Sequence, residues 1–192
     1  MRFWIFLKEE DFTGLMESGV YRQDPLKTDP GNDDRICRAY DFLFREMEIR
    51  IGKAPEGVKY PVFAWAVYGG RQEEPVRKDF GNPGDPMVMV CAEMPQAEAV
   101  LFDYYYWHCL LNDLYIPDCH TQEEFDRDWD RHNLLPGEEK EKEKEGSWQK
   151  MFDLRPADNG FFKTCTYVQA AFWELRKENL VYYESFLAEA EE

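Results

Sequence analysis

The residues best suited to chemistry gather in one stretch, Asp103-Tyr104-Tyr105-Tyr106-Trp107-His108. Its aromatic faces could line a pocket, and the His108 imidazole could act as a base or a hydrogen-bond donor. The plainer reading is a helix-borne histidine that satisfies a backbone or carboxylate partner within an aromatic core. A second aromatic run, Tyr60-Pro61-Val62-Phe63-Ala64-Trp65-Ala66-Val67-Tyr68, offers Trp65 and Tyr68 for stacking a nucleotide base or another flat ligand. Aromatics in strands and helices are also ordinary core. His108-Cys109 and Cys119-His120 are soft ligands, but adjacent residues diverge by about 100° on a helix and zinc pairs usually leave a gap of two to four residues. No metal is therefore expected. His120 and His132 sit among charges and read as surface residues.

The familiar catalytic frames are missing. Gly69-Gly70-Arg71 lacks the rest of a phosphate loop, and neither GxGxxG, GxSxG nor HExxH occurs. Asp126, Asp128 and Asp130 lack the turn glycine and closing glutamate of a calcium loop, so they read as a solvated helix face. Composition narrows the partners: 39 Asp+Glu against 23 Lys+Arg give a formal charge of −16. Nucleic acid and anionic membranes need clustered Lys/Arg, so neither is expected as a partner. Arg35, Arg38, Arg45 and Arg50 lie among acids on one segment, where self-pairing is the simpler outcome. Fourteen Phe, 11 Tyr and 6 Trp argue for a folded chain. The five cysteines are scattered without a CxxC pair, which fits reduced, mostly buried thiols. With no signal-peptide core and no stretch approaching a membrane span, the expected location is cytoplasmic.

The elements that must position these residues follow from periodicity. Arg2 to Lys8 reads as a buried strand, and Glu9 to Ser18 as a helix with Phe12, Leu15 and Met16 on one face, stopped by Gly19. After a short extended Val20-Tyr21, Asn32 is a candidate cap for a long helix. That helix carries Ile36, Tyr40, Leu43, Phe44, Met47 and Ile51 inward and ends at Gly52. Strands are predicted over Tyr60 to Tyr68, Met87 to Met94 and Val100 to Phe102, with a polar surface excursion from Arg71 to Asp85. Asp103 caps a helix to about Asn112 that turns Trp107, Leu110, Leu111 and Leu114 inward. Thr121 opens another helix, bounded by Pro136-Gly137. The run of Glu and Lys from 138 to 145 reads as an exposed helix start leading to the inward anchors Trp148, Met151 and Phe152. Cys165 to Glu174 is a predicted central strand, and Leu180 to Phe186 a last strand or a closing helix. The order β-α-α-β-β-α-α-α-β-β is an α+β pattern. It implies a single domain over 1–192 with a mixed or antiparallel sheet, packed amphipathic helices and a charged surface segment near 136–147.

Trp4, Gly19-Val20, Tyr60-Pro61-Val62-Phe63-Ala64-Trp65, Trp107-His108-Cys109-Leu110-Leu111-Asn112 and Gln169-Ala170-Ala171-Phe172-Trp173-Glu174 together resemble one family. It is an uncharacterised bacterial domain of unknown function, common in gut Firmicutes. The resemblance covers nearly the full length and implies a bacterial, cytosolic single domain, without an activity. One departure is Ile5-Phe6-Leu7, where members usually carry Thr and a polar residue after the first-strand Trp. The opening strand, short helix and extended turn are also similar to ADP-ribosyltransferase-like domains, which bind NAD. That similarity implies a catalytic carboxylate on the late strand. Here Ala171 stands near its place, with Glu174 three residues on, and the first strand offers only Arg2 or Lys8 for the expected His or Arg.

Two functions follow as expectations. The first is a module that binds an unknown small molecule or protein, without a cofactor, through Trp65, Tyr68, Tyr104, Trp107, His108 and Gln169. The second is an NAD-dependent transferase, possessing an incomplete catalytic set, with His108 and Glu174 as the polar groups. An enzyme of that kind should bring His108 and a carboxylate to one cleft.

Overall fold

The computed structural model describes residues 1–25, 31, 33–119, 121–155 and 165–189. Its frame is a six-stranded sheet of β1 (Arg2–Lys8), β3 (Val62–Val67), β4 (Pro86–Glu93), β5 (Val100–Asp103), β6 (Val168–Phe172) and β8 (Leu180–Leu187), in the order β5-β6-β3-β1-β4-β8. Every neighbouring pair is antiparallel. A separate ribbon pairs β2 (Val20–Tyr21) with β7 (Leu175–Arg176). The helices are α1 (Glu9–Ser18), α2 (Asp34–Ile51), α3 (Tyr104–Leu111), α4 (Gln122–Asn133) and α5 (Gly137–Ser147), the last continuing into a 3-10 turn over Trp148–Phe152. This is an α+β fold. No helix among the described residues is long and apolar enough to cross a membrane.

Strand alternation sends side chains to two faces, each with its own core. On the first face Phe3, Ile5 and Leu7 of β1 meet Val62, Ala64, Val88, Val90, Ala170 and Leu15 of α1. On the second, α2, α3 and the 3-10 turn pack Leu43, Met47, Trp107, Leu110, Trp148 and Met151 over Val100, Phe102 and Ala171. The central strands are hydrophobic on both sides because both sides are covered. Helix α1 stops at Gly19, whose φ of 83° is left-handed and whose N–H returns to the Leu15 carbonyl.

Several expectations need correction. Asp33 caps α2 by accepting from the Arg35 N–H, while Asn32 lies outside the described residues. Strand β3 is shorter than 60–68. Phe42 and Tyr106 are buried although their spacing did not single them out, whereas Leu114 is exposed. Of the cysteines, Cys91 and Cys119 are buried and the other three are half-buried; none forms a disulfide. His132 is no surface residue: its ring stacks on Tyr115 at 3.9 Å and its Nδ1 lies 2.8 Å from Glu143. Asp128 is likewise drawn inward, accepting from the Tyr115 hydroxyl, the Asp118 N–H and Arg131. The Glu/Lys run forms the predicted helix, yet Lys144 turns inward with its side chain 8% exposed. Its ammonium sits 2.6 Å from Asp113 and 2.8 Å from Glu141. Asp113 holds a φ of 55°, and its second oxygen has only Arg38 at 3.5 Å, beyond a hydrogen bond. Of the four arginines, Arg35 and Arg50 pair with acids of their own segment, Asp33 and Glu46, while Arg38 reaches Glu145 on α5.

Losing the lysine strands a partly buried carboxylate, which costs more than an exposed ion pair is worth. Lys144→Met is expected to destabilise the fold by about 2–3 kcal/mol, roughly 4–12 °C in melting temperature for a domain of this size. A shift below one degree in calorimetry would mean that Arg38 alone satisfies Asp113.

Candidate functional site

One row of side chains runs across all six strands on the second face. Register places Phe102 beside Gln169, Gln169 beside Trp65, Trp65 beside Trp4, Trp4 beside Cys91 and Cys91 beside Tyr182. The helices bury the Phe102 end completely. The excursion after β3 covers the other side, where Phe80 stacks on Phe6 at 3.6 Å and Arg77 pairs with Glu184 at 2.7 Å. Between these covers, Gln169, Trp65 and Trp4 remain only half-buried.

A bulge widens this strip. Trp65 opposes Gln169 and Val67 opposes Val168, so Ala66 is an extra residue. Without it Trp65 and Tyr68 would face opposite sides; with it both reach the second face, their rings 4.9 Å apart. Tyr68 donates to Asp79 at 2.6 Å, an arrangement that, with burial, raises the pKa of its phenol well above the ordinary value of 10.0. Tyr167, two residues before Gln169 on the same side, lies 5.0 Å from Tyr68. Tyr104 lies 5.1 Å from Trp65 and 4.4 Å from His108.

Asp103 holds these pieces together. It is fully buried, and one oxygen accepts from the Tyr105 and Tyr106 N–H groups at 2.9 and 3.1 Å. The other accepts from the Cys165 N–H at 2.7 Å, tying the start of α3 to the segment that leads into β6. Burial pushes the carboxyl above its ordinary 3.8, against the pull of the three N–H groups. The backbone adds a bond from the Tyr104 N–H to the Tyr167 carbonyl at 3.0 Å.

The predicted residues thus divide. Trp65, Tyr68, Tyr104, His108 and Gln169 share the strip, joined by Trp4, Tyr167 and Phe80, which sequence reasoning did not select. Period-two spacing from Gln169 could have indicated Tyr167. Trp107 belongs to the core instead: it is 4% exposed and meets Tyr40 and Phe63 at 5.4 and 6.0 Å. His108 is exposed, though neighbouring protein lowers its pKa from 6.5, and its ring forms no hydrogen bond among the described residues. His120 lies outside the described residues. Glu174 is not on a strand: it follows β6 and lines a groove of about 350 Å³ with Met94, Phe172, Trp173 and Arg176. Arg22 and Arg176 hold its carboxylate at 3.0 and 2.9 Å. Asp103, at the start of the His108 helix, pairs with Val168 at one end of β6. Glu174 follows the other end, five residues or about 17 Å away along the strand, and His108 does not line the Glu174 groove. The two do not share a cleft.

Asp103→Ala removes a helix cap and strands the Cys165 N–H, a loss of about 2–4 kcal/mol. Because the folded pKa of Asp103 is raised, its contribution is fullest below pH 3.8 and falls as pH rises through the folded value. The melting-temperature gap between wild type and Asp103→Ala should therefore widen on acidification from pH 7 towards 4. A gap that narrows would reverse the sign.

Comparison with known proteins adds a family and no activity. Neither a curated protein nor a solved structure matches the chain. Residues 15–181, from the end of α1 into β8, match the family described as a domain of unknown function, DUF3841. The strip's strands β3 and β6, helix α3 and the Asp103 tie all lie within that span, and the chain belongs to the DUF3841 family.

Proposed function

We propose that the protein is a binding module whose site is the half-exposed strip of Trp65, Tyr68, Tyr104, His108 and Gln169. Its ligand is a small molecule with a flat ring and a polar edge. The observation that carries this reading is Gln169. Its amide stands between Phe102 and Trp65 and makes no hydrogen bond to protein among the described residues. The amide reaches solvent and is not spent on protein, so it offers both a donor and an acceptor to a ligand. The Trp65 indole N–H is also unbonded among the described residues, whereas Trp148 and Trp173 donate theirs to the Leu114 and Gly52 carbonyls. Apolar walls with a few unspent polar groups are what small-molecule sites require. His108, neutral at pH 7 with its lowered pKa, can donate or accept at the rim.

The transferase reading has less support. It needs His108 and a carboxylate in one cleft, and the Glu174 carboxylate is already engaged by two arginines at the far end of β6. A cytoplasmic setting suits five cysteines that form no disulfide.

A thermal-shift screen with nucleosides, nucleotides, NAD, sugar phosphates and simple heterocycles tests the proposal. A ligand at about 100 times its dissociation constant adds about 2.7 kcal/mol, a rise of roughly 5–11 °C. Gln169→Leu, which keeps the volume and removes the amide, should weaken that ligand about tenfold with the fold intact. A hit whose affinity ignores both Gln169→Leu and Tyr104→Ala would move the site elsewhere, and a screen without any shift would remove support for these ligand classes.

A further inference from the structure

We propose that two copies of this chain associate through β8, joining their sheets edge to edge about a two-fold axis. Strand β8 closes the sheet and, among the described residues, pairs with β4 alone. Along its outer edge the backbone groups of alternate residues point away from β4, ready to pair with another strand. Edge strands normally defend themselves with lysines, prolines, bulges or charges turned inward, and β8 has one bulge, at Val181 near its start. This one carries Leu180-Val181-Tyr182-Tyr183-Glu184-Ser185-Phe186-Leu187, with a single charge in a chain that is 32% charged. That charge is already balanced, since Glu184 receives both nitrogens of Arg77 at 2.7 and 2.8 Å. Val181, Tyr182, Tyr183 and Leu187 are each 44% exposed or more.

The sequence of β8 is compatible with its own copy. In an antiparallel pair related by a two-fold axis, opposed residues must point to the same face. An axis through Tyr183 sets Tyr182 against Glu184 on one face, twice by symmetry, and Val181 against Ser185 on the other. No carboxylate opposes a carboxylate: each Glu184 comes opposite a Tyr182 ring whose hydroxyl already donates to Glu184 of its own chain. An axis through Glu184 would oppose two carboxylates and is disfavoured. A bulge at Val181 turns Leu180 to the opposite face from Phe186, so the Tyr183 register runs over residues 181–185 and forms about four to six backbone hydrogen bonds. Each chain carries −16, so the copies repel at long range and association should strengthen with salt.

Sedimentation over about 1 to 100 µM protein tests this directly. Wild type should reach twice the 22.9 kDa chain mass, more readily at high salt. The double variant Val181→Lys/Ser185→Lys, at two exposed positions, opposes lysines across the axis and should be monomeric with an unchanged circular dichroism spectrum. Val181→Lys/Ser185→Glu opposes lysine to glutamate in the same register and should dimerise again. A monomeric wild type at the highest concentration overturns the proposal, as does a dimer that survives the double lysine variant. A lysine–glutamate variant that stays monomeric overturns the register.

Discussion

A buried carboxylate that three backbone N–H groups share is the constraint on which the rest of the candidate site depends. Asp103 ends one strand, begins a helix and catches the segment entering another strand, all with one side chain. Through it the rings of Tyr104 and Tyr167 acquire fixed positions relative to the Trp65-Gln169 pair. A charge without exposure is tolerated because its partners are N–H groups that would otherwise be unsatisfied themselves. The helix dipole adds to the attraction at the start of α3.

The strip also depends on unequal covering of the sheet. On the first face the cluster around Phe3, Ile5 and Val90 is closed. The second face has two covers of different origin, the helices over β5 and β6 and the Arg71–Asp85 excursion over β4 and β8. Phe80 anchors the excursion by stacking on Phe6, and it also reaches Trp65 at 6.1 Å and Tyr68 at 5.7 Å. Half-exposed rings therefore lie where the covers meet. Burying such rings completely would contribute more to stability, which makes their exposure informative.

Much of this was legible in the sequence where the cause is local. Gly19 ends α1, Asp103 caps α3 and Thr121 caps α4, accepting from the Glu124 N–H, because caps act within a few residues. The α+β class and most strands followed from hydrophobic period. What escaped depends on partners distant in sequence. His132 and Lys144 look solvated in their own helices, but Tyr115 and Asp113 recruit them across the loop after α3. The Ala66 bulge has no sequence mark, since an extra residue shows only against the opposing strand. Within the candidate site, Trp65, Tyr68, Tyr104, His108 and Gln169 were selected by residue type and lie along one strip. Trp107 has the same residue type, but its face of α3 turns to the core. Glu174 was chosen by a likeness of strand order, and the chain leaves β6 before reaching it.

Native-state hydrogen exchange at the amides of Tyr105, Tyr106 and Cys165 tests the Asp103 tie most directly. All three donate to one carboxylate, so they should exchange slowly and together, at the rate of the surrounding core. In Asp103→Ala all three should become fast while amides in β1 and β4 keep their protection. Fast exchange of Cys165 in the wild type, with Tyr105 and Tyr106 slow, would mean that Asp103 caps a helix and nothing more, and that the strip is not held as described.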